Sequence, residues 1–144
     1  MEGTLSMRGI KVLLEQPDLR VTELPGRIYV IDQVAHLNHA VVATTLAAIW
    51  ASPTWRQPWG LVVVMADATY GADIRHHKMP PDDRRAVGTT LVTTKQLQRA
   101  VISAMGIGYR VASGFVLTAT ETMEQGVAIQ RTLVTKVEAS GKRF

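Results

Sequence analysis

The sequence predicts an α/β fold: a small mixed β-sheet with an N-terminal antiparallel part, followed by βα units whose helices pack on the sheet. Three observations support this prediction. Residues 61–65 (LVVVM) form a short apolar run between turn signals, which is typical of a strand buried on both faces. Residues 10–31 contain three strand-like segments separated by Gln-Pro-Asp and Pro-Gly turns. From residue 86 onward, strand-like and helix-like segments alternate, as in right-handed crossovers.

Length and composition fit one ordinary globular domain. The chain has 144 residues, 47% of them hydrophobic and 19% charged, and no linker divides it. We expect one domain over residues 1–144, with a core at about 10–135 and loose tails at 1–9 and 136–144. The chain has no cysteine, which excludes disulfides and thiolate chemistry.

Charge and hydropathy exclude further classes. No run of about 18 apolar residues exists, and the N-terminal segment carries charges where a signal peptide needs an apolar core. We therefore expect no membrane span and a cytoplasmic location. The formal net charge is +4, but the basic residues are scattered and form no helix face, so we expect no nucleic-acid partner.

The first half of the chain predicts three strands and a helix. Strands are expected at residues 10–14, 19–24 and 27–31, as an antiparallel meander. Asn38 is a good N-cap, and a helix is expected from His39 to about Ser52.

The second half predicts the parallel part of the sheet. Strands are expected at residues 61–65, 86–92 and 114–118, with a possible short helix beginning at Pro81. Thr93 and Gln96 have capping-box spacing for a helix that Gly106 and Gly108 end, and Met105 is expected to fill the core. Thr120 or Thr122 opens the last helix. The helix after residue 93 has a predicted apolar face of Leu97, Ala100, Val101, Ala104 and Gly108.

The first predicted helix has no charged outer face. No Asp, Glu, Lys or Arg occurs from residue 33 to residue 55, whereas a surface helix usually carries charges on one side. Either the helix is covered on more than one side, or it is a self-association surface. The residues expected to mediate a homodimer on the second interpretation are Ala40, Thr44, Ala47 and Trp50.

A polar segment follows the strand at 61–65 and is the expected binding loop. Its candidate residues are Asp67, Thr69, Asp73, Arg75, His76 and His77. Adjacent histidines do not point the same way, and the spacing of known zinc motifs is missing. We therefore expect no metal site and no catalytic residue, although acid–base chemistry at His76 and His77 stays open as an alternative.

The order of these segments resembles the STAS or SpoIIAA-like fold over roughly residues 19–133. The resemblance rests on GRIYVID, an Ala-rich helix, GLVVVMADATYGAD, GTTLVTTKQLQRAVISAM and GFVLTATETMEQGVAI. It implies a protein-binding switch in which a Ser or Thr after the central strand is phosphorylated. Residues 71–75 (GADIR) contain no Ser or Thr, so the resemblance favours a relative that works without that phosphate.

The functional prediction is a non-enzymatic regulatory or assembly domain that binds a protein partner, itself, or both. It needs no cofactor. The alternatives are a small-ligand or lipid-binding module of the same fold, and an enzyme that uses the loop with His76 and His77.

Overall fold

The structure, a computed structural model, describes residues 10–32, 34, 36–65, 69–70, 80, 83–113 and 115–141. It confirms the α/β class, with a six-stranded mixed sheet and three helices packed against it. The elements are β1 (Lys11–Gln16), β2 (Leu19–Leu24), β3 (Ile28–Asp32), β4 (His36–Leu37), α1 (His39–Trp50), β5 (Gly60–Val64), β6 (Thr69–Tyr70), β7 (Gly88–Val92), α2 (Gln96–Ser113), β8 (Val116–Thr120) and α3 (Met123–Ser140).

The main sheet has the strand order β1-β2-β3-β5-β7-β8. The strands β1, β2 and β3 pair antiparallel, while β3, β5, β7 and β8 pair parallel. The strand β5 lies inside the sheet between β3 and β7, and its Val62 and Val63 are both buried. The apolar run therefore lies inside the sheet, as its composition predicts. The two-residue strands β4 and β6 form a separate parallel pair that the sequence did not indicate.

Each face of the sheet has its own apolar cluster. On one face, Ile49 of α1 packs with Trp59 and Val63. On the other face, α3 packs over β5 and β7, and Val127 contributes to the cluster that contains Val62. Gly126 permits this approach, because a Cβ there would lie 3.1 Å from Thr90 Cγ2 and 3.3 Å from Val62 Cγ1.

The helix caps on α1 and α3 follow the sequence. The Val41 N–H donates to Asn38 Oδ1 at 2.9 Å, which confirms Asn38 as the N-cap of α1. Thr122 caps α3 in a full capping box with Gln125. The helix α3 continues to Ser140, so residues 136–140 are helical where the sequence predicted a loose tail.

The helix α2 differs from its prediction at both ends. Thr93 does not form a capping box with Gln96; its hydroxyl accepts from the Lys95 N–H at 3.2 Å and donates to Gln98 Oε1 at 2.6 Å. The helix also runs on to Ser113, so Gly106 and Gly108 lie inside it and do not end it.

Gly106 is retained inside α2 because the helix backbone there touches β8. A Cβ at Gly106 would lie 2.3 Å from the Leu117 carbonyl oxygen, a distance that no side chain tolerates. The strand β8 ends the sheet order, and α2 packs against it. This contact holds α2 along the last strand of the sheet and helps to shield an otherwise open edge.

We expect Gly106→Ala to destabilise the fold by roughly 1–3 kcal/mol, because the added methyl group must push α2 away from the Leu117 carbonyl. The matched control is Gly108→Ala in the same helix. A Cβ at Gly108 meets nothing within 4 Å, so we expect that change to be neutral or to stabilise by up to about 1 kcal/mol. Urea unfolding of both variants is the measurement. Equal stability of the two variants would contradict the close contact.

Candidate binding surface

The predicted loop after β5 lies almost entirely outside the described residues. Asp67, Asp73, Arg75, His76 and His77 all fall there. Thr69 is described as part of β6, where it pairs with His36 of β4. The hypothesis of a binding loop, and the alternative of acid–base chemistry at the two histidines, therefore stay predictions.

The uncharged face of α1 is partly exposed. Ala40, Thr44 and Ala47 are exposed along one side of the helix, whereas Thr45 and Ile49 are buried against the sheet. Trp50 is not on the exposed side: it is half-buried, and the Arg84 guanidinium lies 5.1 Å from its ring centroid. The structure thus brings together three of the four residues proposed for self-association.

The helix α2 exposes most of its apolar surface. Ile102 and Gly106 are buried against β8, but Leu97 is 79% exposed, Val101 53% and Met105 49%. Met105 therefore does not fill the core as predicted. The predicted apolar face of α2 is also wrong as a core face, because Leu97, Ala100, Val101, Ala104 and Gly108 are all exposed.

A groove runs along one flank of α2. Its outer wall includes Val101 and Met105, its floor includes Leu91 of β7 and Leu117 of β8, and Leu37 of β4 also lines it. The cavity volume is about 640 Å³, within the range of roughly 300–1,000 Å³ that is typical of ligand sites. Its polar side chains, Lys95 and Gln98, lie at the N-terminal end of α2.

The opposite flank of α2 is apolar too. Ile107 is 70% exposed and Val111 is 83% exposed, and both line a second, shallower depression beside β8 and Ile129 of α3. Successive residues are about 100° apart around a helix, so Met105 and Ile107 lie on opposite sides of the buried Ile102 and Gly106. Apolar side chains therefore cover the side of α2 that faces away from β8, while Gln96, Arg99, Ser103 and Arg110 share one polar sector.

The charged residues within α2 and directly before it are all positive. The helix contains Arg99 and Arg110 but no acidic residue, and Lys95 directly precedes it. Arg99 donates to the Thr93 carbonyl at 2.8 Å, which fixes its guanidinium at the start of the helix. Lys95 and Arg110 are exposed. The surface of α2 is therefore an apolar band with a basic margin.

Among the residues that the structure describes, the one buried carboxylate belongs to a structural network. Glu23 is only 5% exposed and accepts hydrogen bonds from Tyr29 Oη, from Ser52 Oγ at 3.2 Å and from Thr54 Oγ1 at 2.6 Å. Burial, together with the hydrogen bond to Glu23, raises the pKa of Tyr29 above its ordinary value. These groups satisfy one another beside the apolar cluster that contains Tyr29 and Trp59.

The described residues contain neither a cluster of metal-binding side chains nor a membrane-spanning helix. Among residues 10–32, 34, 36–65, 69–70, 80, 83–113 and 115–141, no group of three or more His, Asp or Glu side chains could hold a metal ion. Within the same part of the chain, no helix is both long enough and apolar enough to cross a bilayer.

Comparisons with known proteins give no match. No protein-family model matches the chain, and neither a curated protein nor a solved structure is similar to it. Sequence analysis missed α2 as the exposed apolar surface, since periodicity identifies an apolar face but does not say whether that face contacts the sheet or solvent. The signal that could have identified the inner row is Gly106, four residues after Ile102.

The buried Tyr29 predicts a specific dependence of stability on pH. Its pKa is raised on folding, so its contribution is complete below the unfolded pKa of about 10 and is lost as pH rises further. We expect the free energy of unfolding to fall above about pH 10, and to fall less steeply in Tyr29→Phe. The control is Tyr109→Phe, because Tyr109 is 39% exposed. Chemical unfolding between about pH 8 and 11 measures this; identical slopes in wild type and Tyr29→Phe would contradict it.

Proposed function

We propose that this chain is a non-enzymatic regulatory or assembly domain of the STAS or SpoIIAA-like kind, which binds another protein through α2. One observation supports this most directly: α2 lacks a polar outer face. Leu97 is 79% exposed and Val111 is 83% exposed, and at about 100° per residue the two side chains lie only about 40° apart, on the side of α2 that faces away from β8. A broad apolar face on the solvent side of a helix is ordinarily covered by another element or by a partner.

The extent of the apolar surface favours a protein over a small ligand. A ligand in the groove would cover Val101 and Met105 but would leave Ile107 and Val111 in water. A protein that lies across α2 would cover both flanks. Burying one such side chain fully contributes about 1.5–3 kcal/mol, and contiguous exposed apolar patches commonly mark interaction sites.

The fold supports the same proposal. The order of three antiparallel strands, then strands alternating with helices on a mixed sheet, agrees with the pattern on which the resemblance rests. The deeply buried acidic residue in the described part of the chain, Glu23, is engaged by three hydroxyl groups. A surface for binding is thus better supported than a centre for catalysis.

Photo-cross-linking in the source cells tests the proposal. A photoreactive amino acid at Leu97 or at Val111 samples the outer face of α2 near its two ends, and both side chains are exposed, so the substitutions leave the core intact. The control position is Ala128, which is exposed on α3. We expect the same discrete protein adduct from both α2 positions and none from Ala128. If the α2 positions give no adduct, or the same adducts as Ala128, the proposal is wrong.

Self-association through α1 is a separate part of the proposal and needs its own variant. Ala47→Asp places a charge on the exposed side of α1 without touching the core. If two copies pair through α1, we expect this variant to be monomeric where the wild type is dimeric, as measured by light scattering. Trp50→Asp is a poor test, because Trp50 is half-buried against Arg84 and its loss perturbs folding. An unchanged mass in Ala47→Asp rules out an α1 interface.

A further inference from the structure

The groove beside α2 is long and narrow. From Leu97 to Tyr109 the helix rises by about 18 Å, and both residues line the groove. Its lining side chains come from α2 on one side and from β4, β7 and β8 beneath and beside it. A chain seated along the groove would therefore place one row of side chains between α2 and these strands.

A helix seated along the groove satisfies this geometry. About 18 Å corresponds to roughly 12 residues of α-helix, whose apolar side chains at positions i, i+4, i+7 and i+11 form one row. Such a helix would also reach over the exposed Leu97 on the outer side of α2. An extended apolar chain could fill the groove, but it would leave this side of α2 in water.

The charge that lines the groove indicates the sign of the charge that a partner carries. Lys95 lines the groove, and no acidic side chain stands among the described residues that line it. A second copy that pairs through α2 would offer Lys95 no carboxylate, because α2 contains no acidic residue. An acidic residue beside the apolar row of a different helix would complement Lys95.

We propose that the groove binds an acidic amphipathic helix of a different protein, with its apolar row between α2 and the strands β7 and β8. This proposal depends on the proposed protein-binding function and specifies the chemistry of the partner. Lys95 meets an acidic side chain at one end of the bound helix, and Val101 and Met105 contact its apolar row at the middle of the groove.

Binding of designed peptides to the full chain tests the proposal. The probe is a dye-labelled helical peptide of about 16 residues, with Leu at the groove-facing positions and Glu on the flanks. One control keeps the Leu positions and replaces Glu with Lys; the other keeps the composition and scrambles the Leu positions. By fluorescence anisotropy we expect the acidic peptide to bind at least about tenfold more tightly than either control, and to weaken as salt rises.

Two variants assign the peptide to the groove. Val101→Glu puts a charge on a side chain that is already 53% exposed, and we expect it to abolish binding while urea unfolding shows an intact fold. We expect Lys95→Glu to weaken binding of the acidic peptide and to strengthen binding of the basic peptide. Its matched control is Lys136→Glu, the same change in net charge at an exposed position of α3, which should leave both affinities within about twofold.

Several outcomes overturn the proposal. They are equal binding of the acidic and basic peptides, equal effects of Lys95→Glu and Lys136→Glu, and displacement of the peptide by dodecanoate at matched concentration, which would make a small amphiphile the occupant. If the peptide no longer binds at concentrations where the chain dimerises, a second copy of the chain occupies the groove. A specific cross-linked adduct at α2, combined with failure of the acidic peptide, would preserve the proposed function and reject this partner class alone.

Discussion

The contact between Gly106 and the Leu117 carbonyl determines how α2 meets the rest of the molecule. A Cβ at that position would lie 2.3 Å from the oxygen, so only glycine allows the helix to lie against β8. Close backbone contact along one narrow row leaves both flanks of the helix free. The exposure of Met105 and Ile107, on opposite sides of that row, is a direct consequence. The contact between Gly106 and Leu117 thus both covers the edge of the sheet at β8 and leaves the candidate surface of α2 exposed.

The inner strands of the sheet, β2, β3, β5 and β7, are packed on both faces. Gln130 is fully buried and donates to Thr90 Oγ1 at 2.9 Å, which ties α3 to β7. On the opposite face, Tyr29, Ser52 and Thr54 satisfy the buried Glu23. A buried carboxylate is costly unless it is hydrogen-bonded, and here its donors come from β3 and from the segment after α1. This network fixes the connection between α1 and the sheet.

The sequence predicts the parts of this structure in which local pattern and burial agree. The apolar run in β5, the Asn38 cap and the Thr122 cap were identified because each has one physical explanation. The orientation of α2 could not be predicted, because its periodic apolar face, which includes Leu97 and Val101, points away from the sheet, whereas such a face ordinarily packs on the core. The end of α2 was predicted wrongly because glycine near the end of a helical pattern usually indicates a cap. Gly106 instead lies inside the helix, where its missing side chain allows the contact with Leu117.

The two helices that lack a charged outer face differ in what their exposed surfaces can contribute. On α1 the exposed residues Ala40, Thr44 and Ala47 are small, so a partner would gain little apolar contact unless backbones approach closely. On α2 the exposed residues are large and branched, and basic side chains border them. The apolar area of a contact determines how much free energy it can contribute, and the charge around it determines which partners bind. Among the described residues, those of α2 combine a large exposed apolar area with a bordering charge.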